Sequence, residues 1–161
     1  AGALVLLHAM ARYPARAGVL VAPVLGGWRT FGTALLRNPG GTLPAVFGAP
    51  LRLSSRQLFS PEVADAVAHG YADRLTGAAR RAQWQLLLRR DAEPAVGDPP
   101  VLVLGSPDDR VVPAAALDRA ARRYGGAPLL FPGMGHDLML DARWAEPLDA
   151  ILDWLEKEPA G

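Results

Sequence analysis

Val101-Leu102-Val103-Leu104-Gly105-Ser106-Pro107-Asp108-Asp109-Arg110-Val111-Val112-Pro113 opens the stretch that decides the fold, and Ala127-Pro128-Leu129-Leu130-Phe131-Pro132-Gly133-Met134-Gly135-His136-Asp137 closes it. Each half has the same form: an apolar run that ends in a turn. The first turn carries acids and the second carries a histidine. Between them Ala114 to Tyr124 reads as a helix entered from Pro113, and Gly125 supplies its left-handed stop. A strand, a helix and a second strand imply parallel pairing through a right-handed crossover. Both turns then lie at the carboxyl edge of the sheet, where open α/β folds bind ligands. An Asp and a His at one edge are two of the three members of a nucleophilic triad.

Outward from this stretch the chain keeps alternating. Ala3 to Tyr13 is apolar nearly all round and reads as a buried helix, ended by Pro14. Gly18 to Ala22 is a continuous aliphatic run, the pattern of a strand covered on both faces. Arg143 to Lys157 reads as a final helix, with Trp144, Leu148, Ile151, Leu152 and Leu155 on one side. Residues 28–95 differ in texture and show no long strand pattern. Thr30 to Arg37 reads as a short helix stopped by Asn38-Pro39-Gly40-Gly41, and Leu43 to Leu58 as irregular chain. Ser60, Pro61 and Glu62 read as the N-cap, first residue and dipole partner of a helix running to about Leu75. Ala78 to Asp91 reads as another helix. The expected organisation is therefore an α/β core at 1–27, a helical cap at 28–95, and the core again at 96–161. The fold class is α/β, a parallel sheet flanked by helices. Three strands would leave open sheet edges, so the chain reads as the second half of a larger sheet.

Composition narrows the function classes. The 161 residues are 50% hydrophobic with a net charge of +1, enough for a core and too balanced for a nucleic-acid partner. Cysteine is absent, which excludes disulfides and thiolate chemistry. No apolar run approaches the ~20 residues of a membrane span, so no integral membrane segment is expected, and the cytoplasm is the expected location. His8 and His69 sit in helical patterns without acidic neighbours at ligand spacing. No metal and no cofactor are expected.

Asp108 and Asp109 also make ordinary turn chemistry, and a loop histidine can simply be a surface residue. Two glycines ahead of His136, at 133 and 135, let the backbone bend tightly and bring the ring over the sheet edge. Taken together, the ordered loops resemble the C-terminal half of an α/β-hydrolase. The family's acid loop, G-x-x-D-D-R-[IV]-V-P, corresponds to Gly105 to Pro113, with one residue of variation in the glycine position. Its histidine loop, G-x-G-H-x-x-x-L, corresponds to Gly133 to Leu140. The run from His136 to Asp141, followed by Trp144 and the closing helix, is similar to the lysophospholipase and monoacylglycerol-lipase-like branch.

The resemblance implies Asp109 as the acid and His136 as the general base. It implies Trp28, Met134 and Leu138 at the substrate, a small-molecule ester. The start of the chain resembles the family segment just beyond the nucleophile elbow, G-x-S-x-G. Ala1-Gly2 would be the last two residues of that elbow, the serine would sit just before residue 1, and the backbone N–H of Ala1 would be an oxyanion donor. None of Ser54, Ser55, Ser60 and Ser106 lies between a strand and a helix with flanking glycines. Relatives with an aspartate nucleophile usually have a bulky aromatic directly after it, so Ala1 favours serine. The expected partner is the N-terminal half of the hydrolase fold, or a second copy joined through the open sheet edge. Two other readings remain: a catalytically incompetent half that acts as a binding or dimerising module, and a flavodoxin-like binding domain, for which no glycine-rich phosphate loop is visible.

Overall fold

The computed structural model describes residues 2–25, 32, 35–36, 39–47, 49, 53–75, 81, 84–85 and 92–157. The elements are α1 (Gly2–Met10), β1 (Gly18–Val21), α2 (Pro39–Val46), α3 (Ser55–Leu58), α4 (Asp65–Arg74), β2 (Val101–Gly105), α5 (Ala114–Arg122), β3 (Leu129–Leu130) and α6 (Ala145–Lys157). Among the described residues no helix is long and apolar enough to cross a membrane.

The three strands form one parallel sheet in the order β1-β2-β3. Gly18 pairs with Val101 and Val21 with Leu104, while Leu104 and Gly105 pair with Leu129 and Leu130. The strand β2 is central, which is why its sequence is apolar throughout: successive side chains point to opposite faces, and both faces are covered. On one face Leu20 and Val103 pack with Leu7 of α1 and with Ala120 and Ala121 of α5. On the other, Ala22 and Leu104 pack with Met134 and Leu138, and Ile151 of α6 joins them. The fit at the end of β2 is tight. A Cβ on Gly105 would lie 2.6 Å from a methyl of Leu117, so α5 can approach the strand only because residue 105 has no side chain.

The parallel sheet flanked by helices thus has the expected architecture, and all three expected strands are present. Two local readings are corrected. Leu43 to Leu58 is not irregular throughout, because α2 runs on to Val46 and α3 takes up its last four residues. Ser60 does not cap α4, which starts at Asp65 after Ala64. The Ser60 N–H and hydroxyl are both held by Asp141, at 2.8 and 2.7 Å, so neither the backbone nor the side chain is free to begin a helix. The expected helices at 30–37 and 78–91 fall mostly outside the described residues.

Residues 53–75 carry a small core of their own. Leu58, Phe59, Val63 and Ala68 are buried together, with Leu53, Tyr71 and Ala72 around them. The Phe59 and Tyr71 rings meet at 5.8 Å between centroids, inclined at 43°. Phe59, placed by sequence in the cap, is buried within this cluster.

Candidate active site

The acid loop leaves β2 at Gly105 and reaches α5 at Ala114. Asp109 stands at its bend, with its carboxylate fully buried. Its Oδ1 accepts hydrogen bonds from the N–H groups of Val111 at 2.6 Å and Val112 at 3.0 Å. The tail Val111-Val112-Pro113 therefore does more than end the loop. It turns two amides back onto the carboxylate and leaves Oδ2 aimed outward.

The histidine loop leaves β3 at Phe131, whose N–H bonds the Gly105 carbonyl at 2.9 Å and carries the strand pairing one residue further. Gly133 takes φ +82°, the left-handed conformation that favours glycine. The loop delivers His136 to Asp109: Nδ1 lies 2.8 Å from Oδ2. An ionised carboxylate only accepts, so Nδ1 carries the hydrogen and donates it. In the neutral ring the other nitrogen, Nε2, then holds the free lone pair. The ring keeps 18% of its side-chain surface exposed while its partner has none. The pair is a buried carboxylate behind a partly exposed imidazole.

Asp108 has a separate task. Its Oδ2 accepts the Gly133 N–H at 2.7 Å, and its own N–H donates to the Ser106 hydroxyl at 3.1 Å. One aspartate holds the ring and its neighbour holds the backbone of the loop that carries the ring. Asp137, directly after the histidine, has its carboxyl held above the usual carboxylate range. Partial burial is the main cause, the Asp141 carboxylate adds to it, and His136 works against it.

Asp141 is a residue that sequence reasoning missed. It is 1% exposed. Its Oδ2 accepts from the N–H of Ser60 at 2.8 Å and of Gly135 at 2.9 Å. Its Oδ1 accepts from the Ser60 hydroxyl at 2.7 Å and from the Ala142 N–H at 2.8 Å. The one signal available in sequence was an aspartate five positions after the histidine, with nothing to say what it would bond.

Of the other expected site residues, Met134 and Leu138 are 1% and 0% exposed and pack against Ala22 and Leu104 beneath the loop. Ala1 and Trp28 lie outside the described residues. Ser106 is fully buried with its oxygen accepting from Asp108, and Ser60 is tied to Asp141, so neither is free to act as a nucleophile. An open pocket of about 360 Å³ lies between the acid loop and residues 55–68. Buried Phe59, Val63 and Ala68 and exposed Arg56 and Arg110 are among its lining residues. Among the described residues no cluster of His, Asp and Glu is arranged to hold a metal ion.

A family model described as the alpha/beta hydrolase family matches residues 1–153. Among solved structures, the chain is similar to Rv0554 from Mycobacterium tuberculosis, with a TM-score of 0.66 at 23% identity over 98% of this chain. It is similar to a monoacylglycerol lipase from Paleococcus ferrophilus, with a TM-score of 0.64 at 20% identity, again over 98% of this chain. A thermophilic esterase from Thermogutta terrifontis aligns over 88% of this chain with a TM-score of 0.60 at 18% identity. The chain spans 63%, 65% and 56% of the lengths of these three proteins. Among curated proteins none matches the chain.

Proposed function

The chain belongs to the alpha/beta hydrolase family, and from that premise we propose that it supplies the acid and the base of a serine hydrolase acting on carboxylic esters. The observation that carries this is the 2.8 Å hydrogen bond from His136 Nδ1 to the buried Asp109 carboxylate. His136 Nε2 takes the proton of a serine hydroxyl as that oxygen attacks the ester carbonyl carbon, then passes the proton to the departing alcohol. In the second half it takes a proton from water, whose oxygen attacks the acyl carbon, and returns the proton to the serine as the acid leaves. Asp109 keeps the ring in the Nδ1–H tautomer and stabilises its charged form without taking the proton itself.

The serine is supplied in this reading by a Gly-x-Ser segment leading into α1, with the backbone N–H of Ala1 as one oxyanion donor. The four serines of the 161 residues are not offered as nucleophiles. The substrate proposed is a small or lipid-like ester. Residues 28–95, as a cap, would set that preference, with Trp28 among the residues facing the substrate. Structures of a lipase and an esterase among the similar folds agree with this choice of substrate class.

The test is hydrolysis of short and medium acyl nitrophenyl esters by the protein extended upstream of Ala1. Turnover that disappears in His136→Ala and falls by ~10⁴ in Asp109→Asn is the expected result. Turnover by residues 1–161 alone, lost in His136→Ala, would refute the upstream nucleophile. An extended protein carrying Gly-x-Ser that cleaves no ester would refute the reading as a whole.

A second reading has its own observation. Trp144 and the α6 residues Leu148, Leu152 and Leu155 are each 42% to 51% exposed and fall on one side of the helix. A catalytically incompetent module that pairs with a second copy through this surface would explain them. Light scattering on dilution separates the two: a concentration-dependent dimer without ester turnover favours the module.

A further inference from the structure

We propose that Asp141 is a positioning residue for His136, and that through it the 55–60 segment and the general base move as one body. The proposal rests on the reading of His136 as base and goes beyond it, because Asp141 touches no reacting atom.

His136 is held at both flanking residues. The Gly135 N–H donates to Asp141 Oδ2 at 2.9 Å, and the Asp137 N–H donates to the Leu58 carbonyl at 2.9 Å. A Cβ on Gly135 would collide with the Leu58 oxygen and the Phe59 backbone, so the loop lies flat against the end of α3. The same carboxylate oxygen that takes the Gly135 N–H also takes the Ser60 N–H, and the other takes the Ser60 hydroxyl. Ser60 and Asp141 are 81 positions apart in sequence and buried together.

The chemistry of this position requires a carboxylate. Asp141 faces four donors: three backbone N–H groups and one hydroxyl. An ionised carboxylate offers about four lone-pair sites and no hydrogen, and charge-assisted bonds are about twice as strong as neutral ones. Asparagine of the same shape would turn an NH₂ group toward one pair of these partners, leaving at least one backbone N–H unsatisfied and the remaining ones on a neutral carbonyl in place of a charged oxygen. Burying a charge is costly unless donors surround it. Here they come from two different segments, so the charge is stabilised only while the 55–60 segment stays against the histidine loop. Displacing that segment would strip the carboxylate of both Ser60 bonds and free the Asp137 N–H from the Leu58 carbonyl, loosening the loop on either side of the ring that Asp109 orients. Displacements of about 1 Å at a catalytic group can cost ~10²-fold in rate, so a clamp at this place governs the base without touching substrate.

The test is proton NMR of the Nδ1–H of His136 in the full chain, with Asp109→Asn to assign it. In the wild type a far-downfield resonance lost in Asp109→Asn is expected. In Asp141→Asn that resonance should vanish or its exchange with water should quicken about tenfold or more, the factor expected for losing a charged hydrogen bond. The α-helical circular dichroism should be retained. A folded Asp141→Asn whose resonance keeps its wild-type position and exchange rate overturns the proposal. Should Asp141→Asn fail to fold, Ser60→Ala removes one of the four bonds alone. Faster Nδ1–H exchange in it supports the clamp, and an unchanged rate overturns it. A wild type without the resonance would instead refute the Asp109–His136 pair, a failure distinct from that of the clamp and fatal to both.

Discussion

Replacing Gly135 by alanine adds one methyl at the most crowded point of the histidine loop. That Cβ would stand 2.6 Å from both Cα and the carbonyl carbon of Phe59, and closer still to the Leu58 oxygen. Comfortable carbon contacts lie at about 3.5–4.0 Å, so the loop and the end of α3 must part by about 1 Å. The atoms struck are backbone, which no rotamer change can move aside. A parting of that size breaks the Asp137 N–H bond to the Leu58 carbonyl, 2.9 Å long, and strains the Gly135 N–H bond to Asp141, also 2.9 Å. A neutral bond contributes about 1 kcal/mol and a charged one about 1.5–3 kcal/mol. The stiffer unfolded chain of the alanine variant returns about 0.4–1 kcal/mol. The net loss expected is about 1.5–3.5 kcal/mol, or roughly 4–11 °C in Tm for a chain of this size. Denaturant unfolding followed by tryptophan fluorescence measures it, with Gly126→Ala as control, since a Cβ there meets nothing within 4 Å. Equal midpoints for Gly135→Ala and the control would refute the close apposition of the loop and α3.

Three further outcomes rest on the same geometry. Leu138→Ala, at a fully buried site in the core beneath the loop, should destabilise the protein by about 2–5 kcal/mol in denaturant unfolding; unchanged stability would place the side chain elsewhere. Asp137 has its folded-state carboxyl held above the ordinary range, chiefly by burial. Its contribution to stability is therefore complete below the unfolded value and is lost as the pH rises through the folded one. Asp137→Asn should accordingly gain on the wild type as the pH rises through the carboxylic range, and parallel stability profiles would contradict this. Gly125→Ala should lose about 1–2 kcal/mol in the same unfolding assay, because residue 125 has φ +75° with open space where a Cβ would go, leaving backbone strain as the cost.

The elements legible in the sequence are those whose determinants are local. Val101 to Leu104 is apolar at every position because both faces of β2 are covered, and that run needs no knowledge of its neighbours. Asp109 and His136 are visible because each stands in a turn directly after an apolar strand. The features that escape reading depend on partners far along the chain. Ser60-Pro61-Glu62 has every local mark of a helix start, yet a carboxylate 81 positions away claims the serine. Asp141 looks like any polar residue near the end of a loop. Met134 and Leu138, which family resemblance puts at the substrate, pack onto Ala22 and Leu104, a contact that no local pattern announces. The helix α2 is hidden by Pro39, Gly40 and Gly41, a composition poor in helix formers at its very start.

Asp108 has a consequence for descent. Its bond to the Gly133 amide means that the turn after β2 contributes to the shape of the turn after β3, besides supplying the carboxylate that the ring requires. The two turns are consequently a single heritable character. A recombinant that took the first from one ancestor and the second from another would bring together a carboxylate and an imidazole that had never been fitted to each other. Lineages of this protein should therefore exchange these turns together or not at all, and a designer borrowing the histidine turn for another scaffold would have to borrow the adjacent aspartates with it.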